Sequence, residues 1–348
     1  MTEVVFLTNR ALQGPPESPD SYQAQPGSVL LSGRAVVGPP QGLGSGKIIR
    51  LMPAGVPGIG PAEESVIRAA PHLLLFIHGF ANPFADAIAR AAFLADWFGR
   101  EGGVAAAMRV VVFTWPSHGK LVGPAARTGK KPGPTAAATA AQFPLTGAYK
   151  ADQARARASA TALLSAIDRL RAALGPPRPG RRVFLMAHSM GNELLAVALA
   201  HAAAPAVRIF DEIFLIAADT DAVKGDQPPP WLATARRIGG RLHILHSSND
   251  SVLLTSALPV VNGRERLGFL GRAGFPPGTP GLRWLDCSAT LEEDRDPVEG
   301  NPNHWYYRRV PRVRADIAAM MNGKAGEGVV VLPPPPAHPA PQPPGPGA

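Results

Sequence analysis

The sequence predicts an α/β fold, a mostly parallel sheet packed between helices, because two kinds of apolar pattern alternate along it. From Pro71 onward, strand-length apolar runs recur: HLLLFIHG (72–79), RVVVFTW (109–115), RVFLMAH (182–188), EIFLIAA (212–218), RLHILHS (241–247) and LRWLDC (282–287). Runs without polar alternation suit strands covered on both faces, as in a parallel sheet. Helical stripes lie between several of them. Asp86 to Phe98 aligns Ile88, Ala91, Ala92, Ala95 and Phe98, and Ala151 to Leu174 aligns Leu163, Leu164, Ile167, Leu170 and Leu174. Strands alternating with helices imply an α/β domain.

The remaining segments are placed around this frame. Between about Gly14 and Pro61, strand-like runs (Ser28 to Val37, Lys47 to Leu51) sit among Pro/Gly-rich turns. The stretch GLGSGK there is not a phosphate loop, which would need Gly where Gln41 stands and Ser or Thr where Ile48 stands. Residues 118–148 form an insertion longer than compact domains usually carry, expected to be a lid or a flexible loop. The end, LPPPPAHPAPQPPGPGA, can build no core and is expected to be an extended, solvated tail. The organisation predicted is one domain over residues 1–325, followed by a Pro-rich tail over 326–348.

Composition excludes some functions. The chain of 348 residues is 45% hydrophobic and 18% charged, a globular balance, and its apolar runs fall short of a bilayer span. The N-terminus has an early acid and no small-residue cleavage site, so a cytoplasmic location is the expectation. One cysteine, Cys287, excludes an internal disulfide framework and a cysteine-built zinc site. The formal charge of +9 raises the possibility of nucleic-acid binding, but the excess is scattered arginine in an Ala/Pro/Gly-rich chain. The densest group, Arg308, Arg309, Arg312 and Arg314, reads as one solvated face. No nucleic-acid partner, metal or cofactor is expected. The histidines of HILH lie in a buried run, and the carboxylates of EEDRD (292–296) have no cysteine or free histidine to join.

Chemistry concentrates at VFLMAHSMGNELLAVAL (183–199), where a strand pattern turns into a helix pattern at Ser189. A nucleophile elbow brings strand and helix backbones together, so the positions two before and two after the serine must be small. They are Ala187 and Gly191. A serine hydroxyl needs a base, and the base needs a third group to hold it. In strand–turn–serine–helix proteins of this kind, the histidine comes last in the chain. Of nine histidines, four precede the serine, His201 shares its helix, His243 and His246 lie in a strand, and His338 lies in the tail. His304, in the polar stretch EGNPNHWYYRR, remains. The acid has two candidates, Asp250 in HSSNDSVLL and Asp219 in IAADTDA, both just past strand C-termini. Asp250 is preferred because the strand before the histidine loop usually supplies it, with Asp219 as the alternative. The backbone N–H groups of Met190 and of Phe80, which follows His78-Gly79, would hold an oxyanion. Trp115, Phe80, Met190, Asn82 and the insertion are candidate pocket contributors.

Taken in order, FLTNRA, FIHGF…FADAIARAAFLADWFG, FTWPSHG, YKADQARARAS, HSMGN, SSNDSVL and HWYY resemble a branch of the α/β-hydrolase superfamily long catalogued as a domain of unknown function. The resemblance spans most of residues 3–318. It implies an eight-stranded, mostly parallel sheet with helices on both faces, the triad Ser189, Asp250 and His304, and oxyanion donors Phe80 and Met190. Members typically read His-Gly-Phe/Tyr-Asn, whereas here Ala81 follows Phe80, passing any polar role of that Asn to Asn82.

The expectation is a serine hydrolase, esterase- or lipase-like, that cleaves small-molecule or lipid-like carboxylic esters through an acyl-enzyme. Its rate should rise as His304 loses its proton, in the region of about pH 6–8. A thioesterase, amidase or acyltransferase would use the same triad, and a non-catalytic binding protein on this fold is the remaining alternative. Substrate and oligomeric state are not legible.

Overall fold

The computed structural model describes residues 1–40, 46–118, 136–201, 207–276, 278–293, 303–324 and 328–331, with the side chains of 136–145, 291–293 and 328–329 left undescribed. The rejected GLGSGK stretch lies mostly outside these residues, and so do 119–135 of the expected insertion and 332–348 of the expected tail.

Among the described residues, ten strands form one sheet. They are β1 (Thr2–Leu12), β2 (Tyr22–Val37), β3 (Ile48–Pro57), β4 (His72–Ile77), β5 (Met108–Thr114), β6 (Arg182–His188), β7 (Phe210–Ile216), β8 (Gly239–His246), β9 (Leu282–Asp286) and β10 (Gly328–Val331), in the spatial order β10-β9-β8-β7-β6-β4-β5-β1-β2-β3. Only the β1–β2 and β2–β3 pairings are antiparallel.

Continuous apolar runs give this sheet two covered faces, because successive side chains point to opposite sides. Leu74, Phe76, Val110, Val112, Phe184, Met186, Phe214 and Ile216 pack on one side with the helices Phe84–Gly99 and Pro311–Met321. Leu73, Leu75, Ile77, Val111, Phe113, Leu185, Ala187, Ile213 and Leu215 pack on the other, against Ala160–Leu174, Met190–His201 and Pro230–Ile238. Each fully buried Val, Leu, Ile, Phe or Met among them contributes about 1.5–3 kcal/mol of burial. All six strand-length runs are strands, so the predicted fold class holds.

Four details differ from expectation. Among the described residues the sheet has ten strands rather than eight, the two not read as strands being β1 and β10, a GVVV tetrapeptide that pairs with β9 inside the segment assigned to the tail. β1 is an interior strand whose Thr8, Asn9 and Arg10 are buried, a polar stretch that hides it from apolar patterning. The helix expected over Ala151 to Leu174 is two, Ala136–Ala158 and Ala160–Leu174, so residues 136–148 of the expected lid or loop are helical. The two helices part at Ser159, whose Oγ accepts from Asn9 Nδ2 (2.9 Å). Finally, the arginine cluster is not one solvated face. Arg308 and Arg309 are buried with their guanidinium groups over the Trp305 ring (5.2 and 4.6 Å), and Arg314 lies over Trp97 (4.4 Å). Arginine stems and planar heads pack well on aromatic faces, so sequence density misjudged exposure.

β4 sets the location of the site. Its neighbours are β5 on one side and β6 on the other, so successive connections leave in opposite directions and open a crevice at the strand C-termini. Ile77 pairs with Ala187, which brings the chain after β4 beside the chain after β6. Among the described residues, no helix is long and apolar enough to cross a membrane.

Candidate active site

Ser189 follows β6 directly and has φ 53°, a left-handed conformation that costs a non-glycine residue energy and therefore needs support. Its N–H donates to Ile216 O (3.0 Å), and its carbonyl accepts from the amides of Asn192 (2.9 Å) and Asp219 (3.2 Å). The buried Asn192 side chain adds bonds from Nδ2 to Ala187 O (3.0 Å), Ser189 O (3.3 Å) and Ile216 O (3.2 Å). Asn192 was not singled out from the sequence; a polar residue opening an otherwise apolar helix was the available signal.

The small residues act as expected. A Cβ at Gly191 would stand 2.6 Å from His78 O and 2.7 Å from Ile77 O, so the helix can approach β4 only as glycine. A Cβ at Gly79 would stand 2.8 Å from Ser189 Cβ, the closest measure of how tightly the β4 loop lies against the serine. Met190 N–H opens the helix Met190–His201, where an α-helix leaves its first amides without intrahelical acceptors. Phe80 lies in the same loop as Gly79, with Ala81 at φ 57°, a conformation uncommon for a non-glycine residue.

His304 and Asp250 meet. His304 Nδ1 lies 2.7 Å from Asp250 Oδ2, both side chains buried. Asp250 caps the helix Ser251–Ser256, its Oδ1 accepting from Leu253 N (2.9 Å), so one oxygen is fixed by backbone and the other is left to the histidine. Burial pushes the Asp250 carboxyl above the usual carboxylate range, opposed by His304 beside it and by the Leu253 amide. A carboxylate partner makes Nδ1 the protonated nitrogen of neutral His304 and leaves Nε2 as the acceptor. The histidine loop is anchored by Asn303 Nδ2 to Asn249 O (3.1 Å) and by Tyr306, which accepts from Ala217 N (3.0 Å) and donates to Leu245 O (2.9 Å).

His188, next to Ser189, donates from Nε2 to His304 O (3.1 Å), and the two rings lie 4.7 Å apart. Burial, then the neighbouring His304, hold His188 well below the ordinary histidine range. His78 bonds Gly79 O through Nδ1 (2.9 Å), and burial followed by the nearby Arg10 holds it down to about 3. Both serve as hydrogen-bonding supports beside the serine.

The two acids are now distinguished by their partners. Asp219 does not face His304. Its carboxylate accepts from Tyr149 Oη (2.7 Å), Ser256 Oγ (2.6 Å) and Arg266 Nε (2.8 Å). Tyr149 in turn packs on Phe80, ring centroids 5.7 Å apart. Two expected pocket residues have other surroundings. Trp115 is fully buried, stacked on His78 with its Nε1 donating to His78 O (2.8 Å), and Asn82 is buried beneath the Phe80 loop. Among the described residues, no three His, Cys, Asp or Glu side chains converge as a metal ion would require. His243 bonds Glu212 Oε2 (2.7 Å) within the sheet.

No curated protein matches the chain. Among solved structures it is similar to TT1662 from Thermus thermophilus, at 17% identity over 83% of this chain and 98% of that one, with a TM-score of 0.32. It is also similar to a hormone-sensitive lipase from a metagenome library (13%, 86% and 74%, TM-score 0.25). A third likeness is to the peroxisomal α/β-hydrolase Lpx1 of Saccharomyces cerevisiae (12%, 95% and 82%, TM-score 0.27). Likenesses of this degree support no inference about activity. Residues 63–276, more than half of the chain and inclusive of the elbow and Asp250, match the family described as "Alpha/beta hydrolase of unknown function (DUF900)". The chain belongs to that α/β-hydrolase family.

Proposed function

We propose that this chain is a serine hydrolase cleaving carboxylic esters through an acyl-enzyme, with Ser189 as nucleophile, His304 as general base, Asp250 as its orienting acid and the amides of Phe80 and Met190 as oxyanion donors. The observation that carries the reading is the buried 2.7 Å contact between His304 Nδ1 and Asp250 Oδ2, in a chain whose elbow serine has a left-handed backbone. Ser189 Oγ attacks the ester carbonyl carbon as His304 Nε2 takes the hydroxyl proton. The tetrahedral oxyanion sits between the two amides, and its collapse breaks the bond to the alkoxy oxygen, which leaves with the proton from His304. Water repeats the sequence and releases the acid. No metal or cofactor takes part.

The test is a panel of activated esters, thioesters and amides of matched acyl groups, assayed with wild type and Ser189→Ala. Ester turnover with a pre-steady-state burst, lost in the variant, supports the reading. Preferred thioester or amide turnover would replace the substrate class while keeping the triad. Absence of turnover on every class by the folded wild type would favour a binding role.

A further inference from the structure

We infer that Arg10 and Asn82 are positioning residues for the oxyanion loop, forming with Ser117 and Asp152 a buried brace that fixes the direction of the Phe80 N–H. The inference rests on the hydrolase reading above and accounts for motifs that the triad leaves unused: TNR on β1, WPSH after β5 and YKADQ on the helix Ala136–Ala158.

Arg10 is 1% exposed in the middle of a sheet. Its guanidinium donates to Thr114 Oγ1 (3.0 Å), Ser117 O (3.1 Å), Gln23 O (3.5 Å) and Asn82 O (2.8 Å), all neutral oxygens. Among the described residues no carboxylate pairs with Arg10, Asp152 acting on it only from beyond contact; burying a cation this way is costly, and pairing β1 with β5 requires no charge at this position. The three-way fork of arginine gives the reason, since it reaches β2, the chain after β5 and the loop after β4 from one point. Asn82 receives this brace and passes it on. Its N–H donates to Ser117 Oγ (3.1 Å), and its Nδ2 donates to Gly79 O (3.1 Å) and Phe80 O (2.8 Å). Ser117 Oγ donates to Asp152 Oδ2 (2.6 Å), which also faces the His118 amide (3.2 Å). Gly79 O, which shares a peptide plane with the Phe80 N–H, and Phe80 O, the next carbonyl along, are therefore tied to one side chain, and Ala81 spans from Phe80 to Asn82 at φ 57°. An oxyanion donor works only where it already points at the developing charge, and such pre-orientation needs a rigid support.

Arg10→Lys keeps the charge and the aliphatic stem but loses the fork. The expected result is a fall in kcat of about 10–100-fold with KM nearly unchanged. Binding of a trifluoromethyl ketone, which forms a tetrahedral oxyanion on the serine, should weaken in proportion to kcat/KM. Hydrogen exchange of peptides covering 78–83 should quicken while the strands keep wild-type protection. A purely structural role would instead lower the urea midpoint and loosen the sheet, leaving kcat and ketone affinity of the folded fraction at wild-type values. That outcome, or unchanged exchange at 78–83, overturns the inference. Should Arg10→Lys fail to fold, Ser117→Ala removes one link of the brace and is read the same way, with about a tenfold fall in kcat expected. A wild type inert to substrate and ketone would overturn the hydrolase reading, and the exchange measurement would still decide the brace.

Discussion

Gly79→Ala probes how closely the loop after β4 lies against the nucleophile. The added Cβ would meet Ser189 Cβ at 2.8 Å and both His188 Nδ1 and His188 O at 3.1 Å. Carbon atoms in ordinary contact are about 3.5–4.0 Å apart, so loop and elbow must separate by about 1 Å. Neither side yields freely: Ser189 is held by Ile216 and Asn192, and the loop by Asn82. Overpacking of this kind costs about 1–3 kcal/mol of stability. A 1 Å displacement between nucleophile and oxyanion donor costs about 100-fold in rate, although no side chain that touches substrate has changed. The assay is the second-order rate of inactivation by a fluorophosphonate, set beside the urea midpoint of the same preparation. Loss of rate well beyond the unfolded fraction is expected. A folded Gly79→Ala protein inactivated at the wild-type rate would refute the claim that this loop supplies an oxyanion donor to Ser189.

The two aspartates should respond in opposite senses. Asp250→Asn removes the acceptor for His304 Nδ1–H and should lower kcat about 10³–10⁴-fold at modest cost in stability. Asp219→Asn uncouples a buried ion pair with Arg266 and should cost about 3 kcal/mol of stability while kcat/KM stays within about tenfold, as kinetics and denaturation will report. Acid should destabilise the fold early. His78 and His188 are depressed in the folded state, so the unfolded chain binds their protons first, and stability present above about pH 6.5 falls as pH drops toward the folded values. Each contributes up to about 1.4 kcal/mol per pH unit, and urea unfolding that shows a flat stability from pH 7 to 5 would contradict this.

Much of this is readable in the sequence because the physics involved is local. The six runs from HLLLFIHG to LRWLDC are strands since a doubly covered sheet demands unbroken apolar sequence. Ala187 and Gly191 are readable because an elbow demands small residues two before and two after its nucleophile, and at Gly191 a Cβ would meet the His78 and Ile77 carbonyls. Chain order favours Asp250 but leaves Asp219 open, since both follow strand C-termini. What separates them is Arg266, distant in sequence from Asp219 and carrying no local sign of its partner. β1 is hidden for a related reason: its buried Thr8 and Arg10 bond to Thr114 on β5 and Asn9 bonds to Ser159 between two helices, a non-local arrangement that apolar counting reads as surface. Arg308 and Arg309 differ: their covering ring, Trp305, is close in sequence, but charge density alone does not show that guanidinium groups will lie over it.

The central claim is that Ser189 is a nucleophile activated by His304. The most direct measurement is labelling of the wild-type chain with a fluorophosphonate, followed by identification of the modified peptide and repetition with Ser189→Ala and His304→Ala. The account expects stoichiometric modification of Ser189, none in Ser189→Ala, and labelling slowed by several orders of magnitude in folded His304→Ala. Modification at another residue, or labelling of His304→Ala at the wild-type rate, would contradict it.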